Sequence, residues 1–311
     1  MTLLAALVFA AAALPQTTVE TSNGVRLWVM ERGGGAPVIV IHGGPGMDHG
    51  SLAADLAPLE KHHRVIYYDQ RGGGRSTLPA DTSLLTIDHH VDDLEALRKH
   101  FKLEKVTLLA HSFGPAIAAR YAIRYPERVE RMILLSPIPP LKGKFFEEYG
   151  ASLSKRLTKE QMARADGLNK KLAATAADAQ AVCRDYWKIM TPPRVAKELN
   201  ASVVKSDLCS APSAAIVYGM TKTNPTTFGS LGDWNWTAEL AGVTAPVLII
   251  HGDEDAIPTA MVDAWVTSLP NARILRLAKT AHFPHAERPS IVFPAIETFL
   301  GGNWPSDAAG K

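Results

Sequence analysis

The sequence has 311 residues, 46% hydrophobic and 21% charged, the balance of an ordinary globular protein with ample material for a core. A formal net charge of +2, without any Lys/Arg-rich run, disfavours nucleic acid as a partner. Cys183 and Cys209 stand in no metal-binding spacing and read equally well as a pair formed in an oxidising compartment or as two separate buried thiols.

Taken in chain order, residues 1–15 form an apolar, alanine-rich run, shorter than the roughly 20 residues a membrane-spanning helix needs. It reads as a signal peptide with A-x-A-like processing sites around Ala11 to Ala13, although its n-region carries no Lys or Arg. Export to the periplasm or beyond is expected, with a cytoplasmic protein bearing a hydrophobic appendage as the alternative. No other stretch is long and apolar enough for stable membrane insertion. Val19–Thr21 and Val25–Glu31, split by Ser22-Asn23-Gly24, predict a hairpin. Pro37–Ile41 and His63–Asp69 predict buried strands, and Ile87–Phe101 an amphipathic helix with Val91, Leu94, Leu97 and Phe101 on one face. Val106–Ala110 is a third buried strand, running through His111-Ser112-Phe113-Gly114 into an alanine-rich helix that ends near Arg124, and Val129–Ser136 is a fourth. This alternation argues for an α/β fold with a mostly parallel sheet covered on both faces. The rhythm breaks at Pro137-Ile138-Pro139-Pro140, and residues 141–238 read as helices and loops. It resumes with strands at Val243–His251 and Ala272–Leu277 and a closing helix at Ser290–Leu300. The expected division is a signal peptide at 1–15, core at 16–138 and 241–311, and a helical insertion at 139–240.

A serine at a tight strand-to-helix turn projects its hydroxyl out of the sheet, and the turn here reads A-x-S-x-G, with Ala110 where the nucleophile-elbow consensus has glycine. Such a hydroxyl needs a base to take its proton and an acid to orient that base. In this type of sheet both follow the serine, acid first. Asp255, after the Val243–His251 strand, is the expected acid, with Asp253 and Glu254 as rivals; His282, after the last strand, is the expected base, with His285 as competitor. The developing oxyanion needs preorganised donors. These are expected from the N–H of Phe113 and from Gly44 in His42-Gly43-Gly44-Pro45-Gly46, with Gly43 as the fallback. Gly72-Gly73-Gly74 lacks the spacing of a phosphate loop, and the histidines fall in no metal-binding motif, so neither a metal nor any other cofactor is expected.

With these motifs in register the chain resembles an α/β-hydrolase of the proline iminopeptidase-like group. The resemblance rests on His42–Gly46, Asp69–Ser76, the Ser112 elbow, Gly252 with Asp255, and His282 with Glu287 and Pro289 behind it. It implies Asp255 over Asp253, His282 over His285, and a cap over the active site built by the insertion. It further implies a serine hydrolase that opens small amide or ester bonds through an acyl-enzyme, on short peptides first and carboxylesters second. Gly43, Trp187 and Trp234 are the expected substrate-lining residues. Two features depart from the group: Trp187 is followed by Lys188 where prolyl-specific members carry Glu, and Asp255 by Ala256 where related aminopeptidases carry Glu. The cap acids Glu147, Glu148, Asp185 and Asp233 read as solvated surface charges. Dehalogenase and epoxide-hydrolase relatives use an Asp nucleophile, which Ser112 disfavours; the reading from another class is a hydrolase-fold lyase or cofactor-free oxygenase, turning over without an acyl intermediate.

Overall fold

The computed structural model describes residues 16–21, 23–175 and 177–311. Eight strands form one sheet: β1 (Thr17–Glu20), β2 (Arg26–Arg32), β3 (Ala36–Ile41), β4 (His63–Tyr68), β5 (Val106–His111), β6 (Val129–Leu135), β7 (Val247–Gly252) and β8 (Ala272–Leu277). Their spatial order is β1-β2-β4-β3-β5-β6-β7-β8. The β1–β2 and β2–β4 pairs are antiparallel and all others parallel. The N-terminal hairpin and the buried strands therefore stand where the hydrophobic pattern places them, to within a few residues.

The parallel strands are apolar throughout because both faces are covered. Along β3, Ile39 and Ile41 face one core while Val38 and Val40 face the other; along β5, Leu108 and Leu109 divide in the same way. Burying each such side chain contributes about 1.5–3 kcal/mol. The first core is closed by α2 (Ile87–His100), α3 (Gly114–Arg124) and α9 (Thr259–Ser268), the second by α1 (Ala53–Leu56) and α11 (Pro289–Leu300). The short α10 (Pro284–Glu287) precedes α11.

Between β6 and β7 the chain leaves the sheet and builds α4 (Phe145–Ser154), α5 (Lys159–Ala174), α6 (Ala179–Met190), α7 (Ser213–Tyr218) and α8 (Asn224–Ser230). Cys183 of α6 is bonded to Cys209, settling the question that the sequence left open. Leu141 and Asn235 meet in an isolated β-bridge at the neck of this insertion. The signal-like segment 1–15 lies outside the described residues; among those described, no helix is long and apolar enough to cross a membrane.

Candidate active site

The chain order reverses between β3 and β5: β4 lies on one side of β3, and the chain crosses back to place β5 on the other. Loops leaving the carboxyl ends of β3 and β5 diverge there and open a crevice, the usual ligand position in such sheets. Gly43 and Gly44 follow β3, and Ser112 follows β5.

Ser112 has φ of 59°, the left-handed region that non-glycine residues seldom occupy. Its backbone is fixed on both sides, its N–H donating to Leu135 O at 2.9 Å and its carbonyl accepting from Ile138 N–H at 2.9 Å. Gly114 permits the turn: a Cβ there would lie 2.4 Å from Ile41 O. Pro115 falls in the first turn of α3, where its missing N–H costs nothing. Ala110 is fully buried, small enough for the crossing of strand and helix.

Ser112 Oγ–H donates to His282 Nε2 at 3.0 Å, and His282 Nδ1–H donates to Asp255 at 2.9 and 3.1 Å. This pair fixes the imidazole tautomer, leaving Nε2 as acceptor. Burial pushes the Asp255 carboxyl up, but the imidazoles of His282 and His251 and the N–H of Ile257 outweigh it and hold the group below the usual carboxylate range. The rivals go elsewhere: Asp253 is exposed, and Glu254 accepts from Lys197 N–H at 2.9 Å. His285 is buried with no hydrogen-bond partner on either ring nitrogen. Neither Phe113 N–H nor Gly44 N–H donates to a protein acceptor among the described residues, and both residues line the crevice. Gly43 lies against Ser112, since a Cβ on it would sit 2.7 Å from Ser112 Cβ.

Supports invisible to motif reading hold the loop that carries His282. His111 Nε2–H donates to His282 O at 2.8 Å, and burial keeps this ring far below the ordinary histidine range, hence neutral. Glu287 accepts from the N–H groups of Ala196, Ala281 and Phe283, each at 2.9 Å, tying the His282 loop to the insertion. The Asp69–Ser76 segment buttresses the His42–Gly46 loop. Gln70 Nε2 donates to His42 O at 2.7 Å, and Arg71 forms a buried pair with Asp93 at 2.5 and 2.7 Å.

The cavity above Ser112 measures about 840 Å³ and is roofed by the insertion. Trp187 lines it. Trp234 does not, which corrects the expectation from its Trp-Asn-Trp setting. It is buried in the core against Phe145 and Trp236, its indole N–H donating to Pro139 O at 3.1 Å. Of the cap acids, Glu147 and Glu148 are exposed, Asp185 pairs with Lys188 and Asp233 with Lys142; none lines the cavity. Asp48 does line it, and both its oxygens lie against Ser210 Oγ at 2.7 and 2.8 Å. Burial and the nearby Asp69 push Asp48 up to about 6. Ligand atoms of Asp48, His49 and Asp69 lie within 4.8 Å of one another, the one such group among the described residues, but their oxygens are already engaged by Ser210, His49 and Arg75 N–H. Arg194, which no sequence motif marks, also faces the cavity.

A family model described as alpha/beta hydrolase fold matches residues 36–289. A proline iminopeptidase of Heyndrickxia coagulans is 28% identical over 87% of this chain and 92% of the relative. One from Lactobacillus delbrueckii subsp. bulgaricus is 30% identical over 81% and 85%. Among solved structures, the proline iminopeptidase of Mycobacterium smegmatis superposes with a TM-score of 0.68 at 25% identity, covering 93% of this chain and 98% of that one. A thermophilic esterase from Thermogutta terrifontis also reaches 0.68, at 22% identity over 93% and 99%, a likeness of fold alone.

Proposed function

The chain belongs to the α/β-hydrolase fold family, and on that premise we propose that it works as a serine hydrolase on small amide or ester bonds, removing N-terminal residues from short peptides in the manner of proline iminopeptidases. The observation that carries this reading is the continuous relay from Ser112 through His282 to Asp255 at the floor of the cavity. Ser112 Oγ attacks the substrate carbonyl as His282 takes its proton. The N–H groups of Gly44 and Phe113 hold the oxyanion, and the protonated His282 then passes its proton to the departing amine or alkoxide. Water, activated by the same imidazole, releases the acyl group and restores Ser112. The insertion serves as a cap that admits small molecules and peptide ends.

A second reading, carboxylester hydrolysis, is supported by the cavity lining, where Asp48 is the one carboxylate among the described residues and is held by Ser210. A fluorophosphonate probe should label Ser112, and Ser112→Ala should abolish the adduct; folded, unlabelled protein would end the serine-hydrolase reading. Proline, alanine and leucine arylamides should then be cleaved. If short-chain nitrophenyl esters turn over and no arylamide does, the ester reading replaces the peptidase reading. The Cys183–Cys209 bond and the leader-like residues 1–15 support export to an oxidising compartment, tested by sequencing the mature N-terminus.

A further inference from the structure

We propose that Arg194 forms a carboxylate-binding site inside the active-site cavity, and that the substrate carries a free carboxylate close to the carbonyl that Ser112 attacks. Arg194 is only 9% exposed and lines the cavity together with Ser112 and His282. A buried guanidinium ordinarily has a carboxylate beside it, because leaving such a charge unpaired in a poorly solvated site is costly. The buried Arg71 follows that rule through Asp93. Arg194 has no acidic partner among the described residues. Nε donates to Tyr149 Oη at 3.2 Å and Nη1 to Met190 O at 2.7 Å. These use two of the five N–H bonds of a guanidinium, and the other three have no protein acceptor among the described residues.

The group is also held in place. Its carbon lies 5.5 Å from the Trp187 ring centre and 5.9 Å from that of Tyr149. The backbone carbonyl of Arg194 accepts the N–H of His282 at 2.9 Å, so the segment that carries the cation is bonded to the loop that carries His282. A planar fork with free N–H bonds in a sheltered site matches a carboxylate, which can accept two of them at once. Of the other charged residues lining the cavity, Lys170 is exposed and Asp48 is held by Ser210. Arg194 is thus the charged group of the cavity wall that keeps N–H bonds open to a ligand. On a short peptide the ligand would be the terminal carboxylate of the departing portion; on an ester it would be the free acid of a half-ester.

The inference rests on the serine-hydrolase reading but not on the choice between amide and ester. Its test uses matched pairs, Pro-Gly against Pro-Gly-amide and monomethyl succinate against dimethyl succinate. In the unaltered protein the carboxylate-bearing member of whichever pair is cleaved should have the higher kcat/KM, by about tenfold, the order expected of hydrogen bonds to a charged group. Arg194→Gln should bring that ratio toward one, mainly through KM, and Arg194→Lys should restore part of it. Should the Gln variant fail to fold, Arg194→Met, which keeps an apolar stem against Trp187 and Tyr149, takes its place. Succinate should raise the Tm of Ser112→Ala and leave that of Ser112→Ala with Arg194→Gln unmoved. Equal rates for both members of a pair, or a preference that survives loss of Arg194, would overturn the proposal. Failure of the underlying reading looks different, since Ser112 would then take no fluorophosphonate at all.

Discussion

The sheet ends and the helical cap are held together by different forces. Around Ser112, Asp255 and His282 the strands are packed on two continuous cores whose side chains are almost wholly buried. The insertion adds Phe145, Trp234 and Trp236 to the first core, but among the described residues its outer helices pack in small clusters, one around Leu153, Ile189 and Met190 and another around Leu172, Ala179 and Val182, while most of α5 faces solvent. Small apolar clusters stabilise poorly, and such units rely on cross-links and polar anchors. The cap has both: the Cys183–Cys209 bond, and Asp55 accepting from Lys205 and Ser206 N–H at 3.0 and 2.9 Å. At the joint the backbones nearly touch, a Cβ on Gly219 falling 2.3 Å from Gly46 O. The sheet ends thus rest on the two main cores, and the outer part of the insertion on a cross-link and polar anchors of its own.

The sharpest way to break this division is on the sheet side. Asp255→Asn keeps the shape of the side chain but loses the charge that orients His282, and kcat on any accepted substrate should fall about 10⁴-fold. A loss under tenfold in steady-state assays would mean that Asp255 does not hold the base. On the cap side, replacing Cys183 and Cys209 by serine opens a cross-link between residues 26 apart. In the chain-entropy model this removes about 3.5 kcal/mol, which should appear as a lower Tm and faster proteolysis within 141–238. KM should change more than kcat for small esters; a kcat loss rivalling that of Asp255→Asn would show the two regions to be one.

The smallest expected effect concerns His285, which burial brings down to about 4. An unfolded histidine titrates near 6.5, so between about pH 6.5 and 4 the unfolded chain binds a proton that the folded site refuses. Stability from this group is therefore present above pH 6.5 and lost as pH falls toward 4. His285→Leu lacks that term, and its stability relative to the unaltered protein should rise by about 2–3 kcal/mol between pH 7 and pH 4.5. Parallel denaturation curves at both pH values would show instead that the folded site accepts the proton.

Much of this was legible in the sequence, because it is written locally. Buried parallel strands show as apolar runs, and the turns at their ends carry Ser112, Asp255 and His282, so the α/β sheet, the tight turn at Ser112 and the chain order of the three proposed catalytic residues could all be read from neighbouring positions. Other decisions needed groups from distant segments. His282 and His285 stand three residues apart on one loop, yet only His282 meets Ser112. Trp187 and Trp234 look alike in sequence, but one lines the cavity and the other is turned into the core with its N–H satisfied by Pro139. The free charge of Arg194 can be seen only once Tyr149, Met190 and Trp187 have been brought around it and, among the described residues, no acid with them. A pattern in sequence reports which face of an element is apolar and where the chain turns; burial, pairing and the loss of water around a charge arise from packing between remote segments, and those the tertiary structure alone decided.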